Sequence, residues 1–112
     1  MEIYNALTHF QALSQDTRLQ AFRLLVRHEP EGLPAGQLAQ LLDVPRNTLS
    51  GHLTVLSHAR LVTSRRAGRS IIYRANLEQM QATIDFLTND CCGGQPENCA
   101  PKRNNKTRPK TG

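Results

Sequence analysis

Residues 38–56 read LAQLLDVPRNTLSGHLTVL, and this stretch determines the fold of the chain. Leucines at helical spacing stand on both sides of the tripeptide Asp43-Val44-Pro45. They are Leu38, Leu41, Leu42, Leu49, Leu53 and Leu56. The third helix of the chain therefore ends at the tripeptide, and a fourth helix runs from Arg46 to about Ala59. Two short helices joined by a three-residue turn form a helix-turn-helix.

Two β-rich runs follow this motif directly. Residues 61–64 (LVTS) and 70–73 (SIIY) are the predicted strands, and residues 65–69 (RRAGR) contain the glycine expected at a hairpin tip. A helix-turn-helix followed by a hairpin is a winged helix. With two helices before the motif and one after the hairpin, the predicted class is mainly α with a small β-hairpin, in the order α-α-α-α-β-β-α.

The two N-terminal helices are predicted from apolar spacing and from capping residues. The first helix carries Ile3, Leu7, Phe10 and Leu13 on one stripe. Ser14 is the expected N-cap of the second helix, with Asp16 near its positive end. The second helix ends at Glu29-Pro30-Glu31-Gly32, and Pro34 is expected in the first turn of the third.

A fifth helix is predicted after Asn76, with apolar residues spaced alternately by three and four. They are Leu77, Met80, Ile84 and Leu87. This seam is too short for a free coiled coil, so it either completes the core or forms an interface. Because a helix beyond the wing has little core left to cover, we expect a homodimer interface shared with Ile3, Leu7 and Phe10 of the first helix.

A chain of 112 residues is one domain of ordinary size. Residues 1–90 are predicted to form this domain, residues 91–100 a cysteine-bearing loop, and the polar, basic residues 101–112 a disordered tail. The sequence has no apolar run of 18 residues, and its N-terminus lacks the pattern of a signal peptide. We therefore expect a cytoplasmic protein with no membrane partner.

The net charge of +5 is distributed unevenly. Residues 44–76 carry six arginines and no acid, whereas residues 1–43 and 77–100 are acidic, and residues 101–112 add five basic residues. A stripe of one sign is the electrostatic footprint of a polyanion partner, although chance asymmetry on a solvated surface is the alternative. Together with the winged helix it favours double-stranded DNA as the partner. The sequence shows neither a base positioned beside a cysteine nucleophile nor a substrate pocket, so we do not expect an enzyme.

Exposed residues in the first turns of the fourth helix would meet base edges in a major groove. The candidates are Arg46, Asn47, Thr48, Ser50, Gly51 and His52, with Thr54 one turn further. Arginine can bond guanine, asparagine can bond adenine, and hydroxyl groups reach bases or phosphates. A half-buried bond to the preceding helix is the alternative role for His52. At the hairpin tip, Arg65, Arg66 and Arg69 are candidates for phosphate or minor-groove contacts.

The chain has three cysteines, Cys91, Cys92 and Cys99, and all lie within nine residues. Their segment is polar and contains glycine and proline, unlike the apolar surroundings of a structural thiol. Three thiols cannot all pair within one chain, and soft thiolates select soft centres. Trivalent arsenic or antimony forms three bonds, whereas zinc prefers four ligands. The cluster therefore favours arsenic(III) or antimony(III); zinc with a fourth donor such as Glu97, and thiol oxidation, stay open.

Several segments of the chain resemble the ArsR/SmtB family of bacterial winged-helix repressors. They are residues 12–19 (ALSQDTRL), 47–53 (NTLSGHL), 56–62 (LSHARLV) and 68–73 (GRSIIY). The resemblance implies a homodimer, built on the first and last helices, that releases a palindromic operator on binding a metal or metalloid. Arg60 departs from the pattern, because the family has a glycine there that suits a left-handed helix cap, and we expect either backbone strain or a changed cap at this position.

The branches of this family carry their sensor sites at different positions. The third helix ends in Leu41-Leu42-Asp43 without a Cys-x-Cys motif, and the fifth helix contains no histidine, so two of these sites are absent from the sequence. A third branch binds trivalent arsenic through a Cys-Cys pair after the last helix and a later cysteine, and the three cysteines match it. The resemblance thus implies a repressor of arsenic resistance genes. The alternative is a thiol-redox-responsive or a zinc/cadmium-responsive repressor.

Overall fold

A computed structural model describes residues 2–88 of the chain. These residues form α1 (Ile3–Leu13), α2 (Asp16–Arg27), β1 (Leu33–Pro34), α3 (Ala35–Leu42), α4 (Arg46–His58), β2 (Val62–Ala67), β3 (Ser70–Ala75) and α5 (Leu77–Thr88). The order of helices and the hairpin confirm the predicted winged helix-turn-helix. The three-residue turn 43–45 between α3 and α4 is confirmed as well.

The wing has one more strand than the sequence predicted. The antiparallel sheet has the order β1-β3-β2, with Leu33 opposite Tyr73 and Pro34 opposite Ile72. Pro34 was expected inside the third helix, but it lies in β1 and precedes α3 with an extended ψ of 149°. The proline lacks an N–H to donate to the sheet, and an edge strand accommodates that loss.

The core lies between the helices and the inner side of the sheet. Its fully buried leucines come from α2, α3, α4 and the residue before β2; they are Leu25, Leu38, Leu49, Leu53, Leu56 and Leu61. The stripe predicted on the fourth helix is therefore confirmed as its buried face. Burying a leucine side chain contributes about 1.5–3 kcal/mol, so this stripe is the main attachment of α4 to the domain.

The cap of α2 is one residue later than predicted. Gln15, and not Ser14, is the N-cap, and its side-chain oxygen accepts a 2.9 Å hydrogen bond from the N–H of Arg18. The hydroxyl of Ser14 instead donates to the carbonyl of Gln11 at 2.9 Å. Ser14 therefore closes the end of α1, because the last carbonyls of that helix also need partners.

The end of α4 is closed by a left-handed residue. Arg60 has a φ of +64°, and its N–H donates to the carbonyl of Ser57, while the N–H of Leu61 donates to the carbonyl of Leu56. These two bonds define a Schellman motif, in which glycine is the preferred residue at the left-handed position. The strain expected at Arg60 is thus located where the chain turns from α4 into the wing.

We expect Arg60→Gly to raise the free energy of unfolding by about 1 kcal/mol, because glycine adopts a positive φ without the steric cost that a side chain incurs. Arg60→Ala is the matched control, since alanine removes the same charge but keeps the Cβ atom. Urea unfolding monitored by circular dichroism measures both. Equal stabilities of the two variants would show that the positive φ at this position carries no cost.

Candidate nucleic-acid interface

The polar face of α4 lies opposite its buried leucines. Six of the predicted DNA-binding residues on this helix are exposed: Arg46, Asn47, Thr48, Ser50, Gly51 and Thr54. The side-chain oxygen of Asn47 accepts from the N–H of Thr48 at 2.9 Å, and the hydroxyl of Thr54 donates to the carbonyl of Ser50 at 3.0 Å. The amide N–H₂ of Asn47 is a donor that these bonds do not use.

The guanidinium of Arg46 lies over α3, next to Gly36. A Cβ atom at position 36 would come within 3.2 Å of Cζ and Nη2 of Arg46. Gly36 therefore leaves room for the first side chain of α4 to fold across the preceding helix. Gly36 was not predicted from the sequence. A glycine within a helix indicates that another group approaches closely, but the sequence does not identify that group.

His52 differs from the other candidates because it is half-buried and bonded within the protein. Its Nδ1 lies 3.3 Å from Nη1 of Arg18. The predicted alternative, a bond to the preceding helix, is close to this arrangement, although the partner belongs to α2 and not to α3. The bond places His52 at the edge of the polar face, between exposed and buried stripes.

The three arginines of the wing are exposed, but they do not share one face. Arg65 and Arg66 were predicted at the hairpin tip, but they are consecutive in β2 and paired with Ile72 and Ile71, so their side chains leave the hairpin on opposite faces. Arg69 lies in the two-residue turn beside Gly68, whose φ is +64°. A duplex lying along one face of the hairpin would meet the tip and one of the two strand arginines.

One of the six arginines of residues 44–76 forms an ion pair within the protein. Arg74 donates from Nη2 and Nε to the carboxylate of Glu29, at 2.7 and 3.2 Å. These hydrogen bonds, together with the charge of Glu29, raise the pKa of Arg74. The pair joins β3 to the segment after α2, so Arg74 has a structural role.

Most of the predicted dimer residues are exposed, and they make up the apolar surface of α1 and α5. Ile3, Leu7, Phe10, Leu77, Ile84 and Leu87 are between 39% and 60% exposed. Met80 is the exception, because it is half-buried and packs against the core. Tyr4 adds to this surface, with 74% of its area exposed.

Within residues 2–88 no helix is long and apolar enough to cross a membrane.

A buried polar contact joins this surface to the end of α4. His9 of α1 is 2% exposed, and its Nδ1 makes a hydrogen bond with the hydroxyl of Thr83, which is equally buried in α5. His9 also lies beside the backbone carbonyl of Ala59, the residue that follows α4. Burial lowers the pKa of His9, and the carbonyl of Ala59 opposes that shift. Sequence reasoning missed this histidine, although it is spaced by three from the buried Ala6 and Ala12.

Asn76 forms a second link between α4 and α5. Its side-chain N–H₂ donates to the carbonyl of Arg60 at 3.0 Å, and its backbone N–H donates to the carbonyl of Leu61 at 2.8 Å. Its side-chain oxygen also accepts from the N–H of Gln79, in the first turn of α5. The start of α5 is therefore attached directly to the left-handed turn that ends α4.

The predicted metalloid ligands Cys91, Cys92 and Cys99 lie outside the described residues, as do the predicted loop 91–100 and tail 101–112. Within residues 2–88, no cluster of three histidine, aspartate and glutamate side chains is arranged to hold a metal ion. In the sequence, Cys91 follows the last residue of α5, Thr88, by three positions.

The fold and the exposed polar helix define a winged helix-turn-helix transcriptional regulator, a class of DNA-binding proteins and not of enzymes. Residues 13–65 match the family model of a helix-turn-helix domain. An ArsR-like transcriptional regulator from Rhodococcus sp. RHA1 is 31% identical, with a TM-score of 0.69 over 78% of this chain and 79% of that one. The chain belongs to the ArsR family of transcriptional regulators.

Two further proteins that are similar to this chain also have the names of transcriptional regulators. The transcriptional repressor SdpR of Bacillus subtilis (strain 168) is 29% identical over 80 residues, which cover 71% of this chain and 86% of that protein. A solved structure described as a possible transcriptional regulator for arsenical resistance is 32% identical, with a TM-score of 0.58 over 70% of this chain and 82% of that one.

We expect Gly51→Ala to separate the stability of the protein from its DNA affinity. A Cβ at position 51 meets no atom within 4 Å, so alanine should stabilise α4 by about 0.5–1 kcal/mol. The added methyl group would obstruct close approach of DNA to the backbone. Affinity for the selected duplex, meaning the duplex that the wild-type protein enriches from a random-sequence library, should therefore fall. Gln81→Ala, on an exposed part of α5, is the control; unchanged affinity of Gly51→Ala would exclude a close approach at this position.

The lowered pKa of His9 predicts a specific dependence of stability on pH. The unfolded chain binds a proton near the ordinary histidine pKa of about 6.5, before the folded protein does, so the unfolding free energy should fall as the pH drops through this value. His9→Gln should lose that component, and the rest of the sequence is the same in the two proteins. Urea unfolding between about pH 5 and pH 8 measures the difference. Parallel pH profiles of the two proteins would refute the prediction.

Proposed function

We propose that this protein is a homodimeric repressor that binds trivalent arsenic, as arsenite, through Cys91, Cys92 and Cys99 and then releases operator DNA. Antimonite is a second ligand of the same class. The observation that carries the DNA part is the exposed polar face of α4, which is free of acidic residues and fixed on a buried leucine stripe. Derepression of arsenic resistance genes is the proposed outcome.

In the proposed complex α4 lies in the major groove. Arg46, Asn47, Thr48 and Ser50 stand at the N-terminal half of the helix, where such helices meet base edges. The positive end of the helix and the exposed arginines of the wing add a sequence-independent attraction to phosphates. Thr54, Arg69 and one of the two strand arginines, Arg65 or Arg66, are the proposed phosphate contacts.

The proposed dimer uses the apolar residues of α1 and α5. Seven large apolar side chains are exposed on these two helices, and apolar residues grouped on neighbouring elements are typical of an interface. A second copy of the chain would cover it, and the same association would set the spacing between two copies of α4. Dimerisation thus gives the protein a two-fold symmetric DNA-reading surface, and a pseudo-palindromic operator matches this symmetry.

The chemistry of the donor set supports arsenic. Three thiolates supply the three bonds of a pyramidal arsenic(III) centre, whereas zinc needs a fourth ligand. The relative described in connection with arsenical resistance, at 32% identity, agrees with this assignment. Cadmium or zinc binding by the same thiols, or their oxidation, is the alternative input to the same repressor.

The contacts between α5 and α4 supply the proposed path from ligand to DNA. The thiols follow α5 in the sequence. Asn76, directly before α5, bonds the turn that ends α4, and Thr83 of α5 bonds His9, which lies beside Ala59. A ligand changes DNA affinity only if its affinity differs between the DNA-binding and the released arrangement. A shift of α5 that moves Asn76 or Thr83 would be transmitted to the orientation of α4.

Single substitutions Cys91→Ser, Cys92→Ser and Cys99→Ser test this proposal in the full-length protein. Arsenite should release wild-type protein from the selected duplex, as measured by fluorescence anisotropy. Each substitution removes one of three bonds, so each should raise the arsenite concentration needed for release by about tenfold or more. Without arsenite, the variants should bind the duplex as wild type does.

Ala100→Ser is the matched control, because it places a serine in the same segment and keeps all three thiols. Release by zinc or cadmium alone, or by peroxide alone, would replace arsenic with the corresponding alternative. Stoichiometric arsenite binding that leaves the DNA affinity unchanged would refute the proposed switch.

A further inference from the structure

We infer that Arg18 is a positioning residue for DNA recognition: it fixes the tautomer of His52 and joins that side chain to the end of α1. This inference rests on the proposed use of α4 as the DNA-reading helix. It concerns a residue of α2 that belongs to neither the polar face of α4 nor the wing. Three contacts of Arg18 carry it.

Arg18 is held at both its backbone and its side chain. Its N–H donates to the cap oxygen of Gln15 at 2.9 Å, so the residue lies in the first turn of α2 with a fixed orientation. Its Nε donates to the carbonyl of Ala12 at 2.7 Å. Ala12 belongs to the last turn of α1, where carbonyls lack helical partners and attract positive charge. The guanidinium is therefore a fixed group, half-buried between α1 and α4.

The third contact determines where the proton of His52 resides. A guanidinium can only donate hydrogen bonds, so the bond between Nη1 of Arg18 and Nδ1 of His52 requires Nδ1 to accept. The neutral ring then carries its proton on Nε2. Among the described residues, Nε2 of His52 has no protein partner, whereas Nδ1 is occupied. The half-buried ring thus presents an N–H donor at the edge of the polar face of α4.

A fixed N–H donor suits the chemistry of DNA. Phosphate oxygens, and the N7 and O6 atoms of guanine, are acceptors that such a donor can bond. With the other tautomer, Nε2 would be an acceptor and would face these same atoms without a proton to share. Arg18 therefore makes His52 complementary to DNA without touching the DNA itself.

The same guanidinium makes the position of His52 dependent on α1. Its planar fork spans the carbonyl of Ala12 and the ring of His52 at once, which the single ammonium group of a lysine cannot do with the same geometry. Since α1 is a proposed dimer helix, displacement of its C-terminal end would move the anchor of His52. Arg18 thereby connects the dimer arrangement to one donor on the DNA-reading face.

A double-mutant cycle on the full-length protein tests this role, with binding to the selected duplex as the readout. Arg18→Ala and His52→Ala should each weaken binding by about tenfold, the change expected for loss of one directed hydrogen bond to DNA. The double variant should bind no more weakly than either single variant, because Arg18 acts through His52. A merely structural role of Arg18 would instead give additive losses.

Conservative variants sharpen the test. His52→Gln keeps an acceptor for Arg18 and a donor for DNA in one side chain, so it should retain more affinity than His52→Ala. Arg18→Lys should show an intermediate loss. Arg23→Ala removes the same charge from an exposed position of α2, has no side-chain partner among the described residues, and should change affinity less than twofold.

Nitrogen NMR of the histidine rings supplies a readout independent of affinity. In wild-type protein at neutral pH, His52 should show a protonated Nε2 and an unprotonated Nδ1, and Arg18→Ala should mix the two tautomers. A protonated Nδ1 in wild type, or a tautomer unchanged by Arg18→Ala, would overturn the inference. Failure of wild type to enrich any duplex would overturn the proposed function as well, whereas DNA binding with an additive cycle would overturn this inference alone.

Discussion

The structure depends on the burial of one side of α4 while its other side stays free of the protein. Leu49, Leu53 and Leu56 are at most 1% exposed, and they attach the helix to α2, α3 and the start of β2. Every polar contact that orients α4 is therefore made at its ends or along its edge. The left-handed turns at Asp43 and Arg60 close the two helices of the motif, and Arg18 holds His52 beside the buried stripe. Close packing makes this attachment rigid, so small displacements of neighbouring elements are transmitted to α4.

The C-terminal end of α4 is where α1 and α5 meet it. The backbone carbonyls of Ala59 and Arg60 face His9 and Asn76, so α1 and the residue before α5 contact the chain directly after α4, the proposed DNA-reading helix. Two buried polar side chains in an otherwise apolar core are costly unless they bond each other, and His9 and Thr83 do so. Such a contact has a defined geometry, which distinguishes it from the apolar packing around it. The pair thus specifies one relative position of α1 and α5.

The sequence predicted the elements whose signal is local and periodic. The helical spacing of the leucines, the tripeptide 43–45 and the β-branched runs around Gly68 located the helix-turn-helix and the hairpin. The unusual backbone at Arg60 was indicated by the resemblance to the family, which has a glycine there, and not by a local pattern. By contrast, β1 has only two residues and forms by pairing with β3. A strand this short has no local pattern from which it could be predicted. The contacts of Arg18, His9 and Arg74 join residues far apart in the chain, and a lone charged or polar side chain does not reveal its partner.

The paired arginines of the wing have an evolutionary consequence. Side chains of a strand alternate between faces, so a slip of one position exchanges which residues lie on each side. In β2 such a slip would replace Arg65 by Arg66 on a given face and leave the charge there unchanged. Val62, which is buried at the base of the strand, has no such substitute, because an exposed threonine follows it. Insertions and deletions near the tip of the hairpin are therefore tolerable for an electrostatic contact, whereas those near its base would disrupt the core.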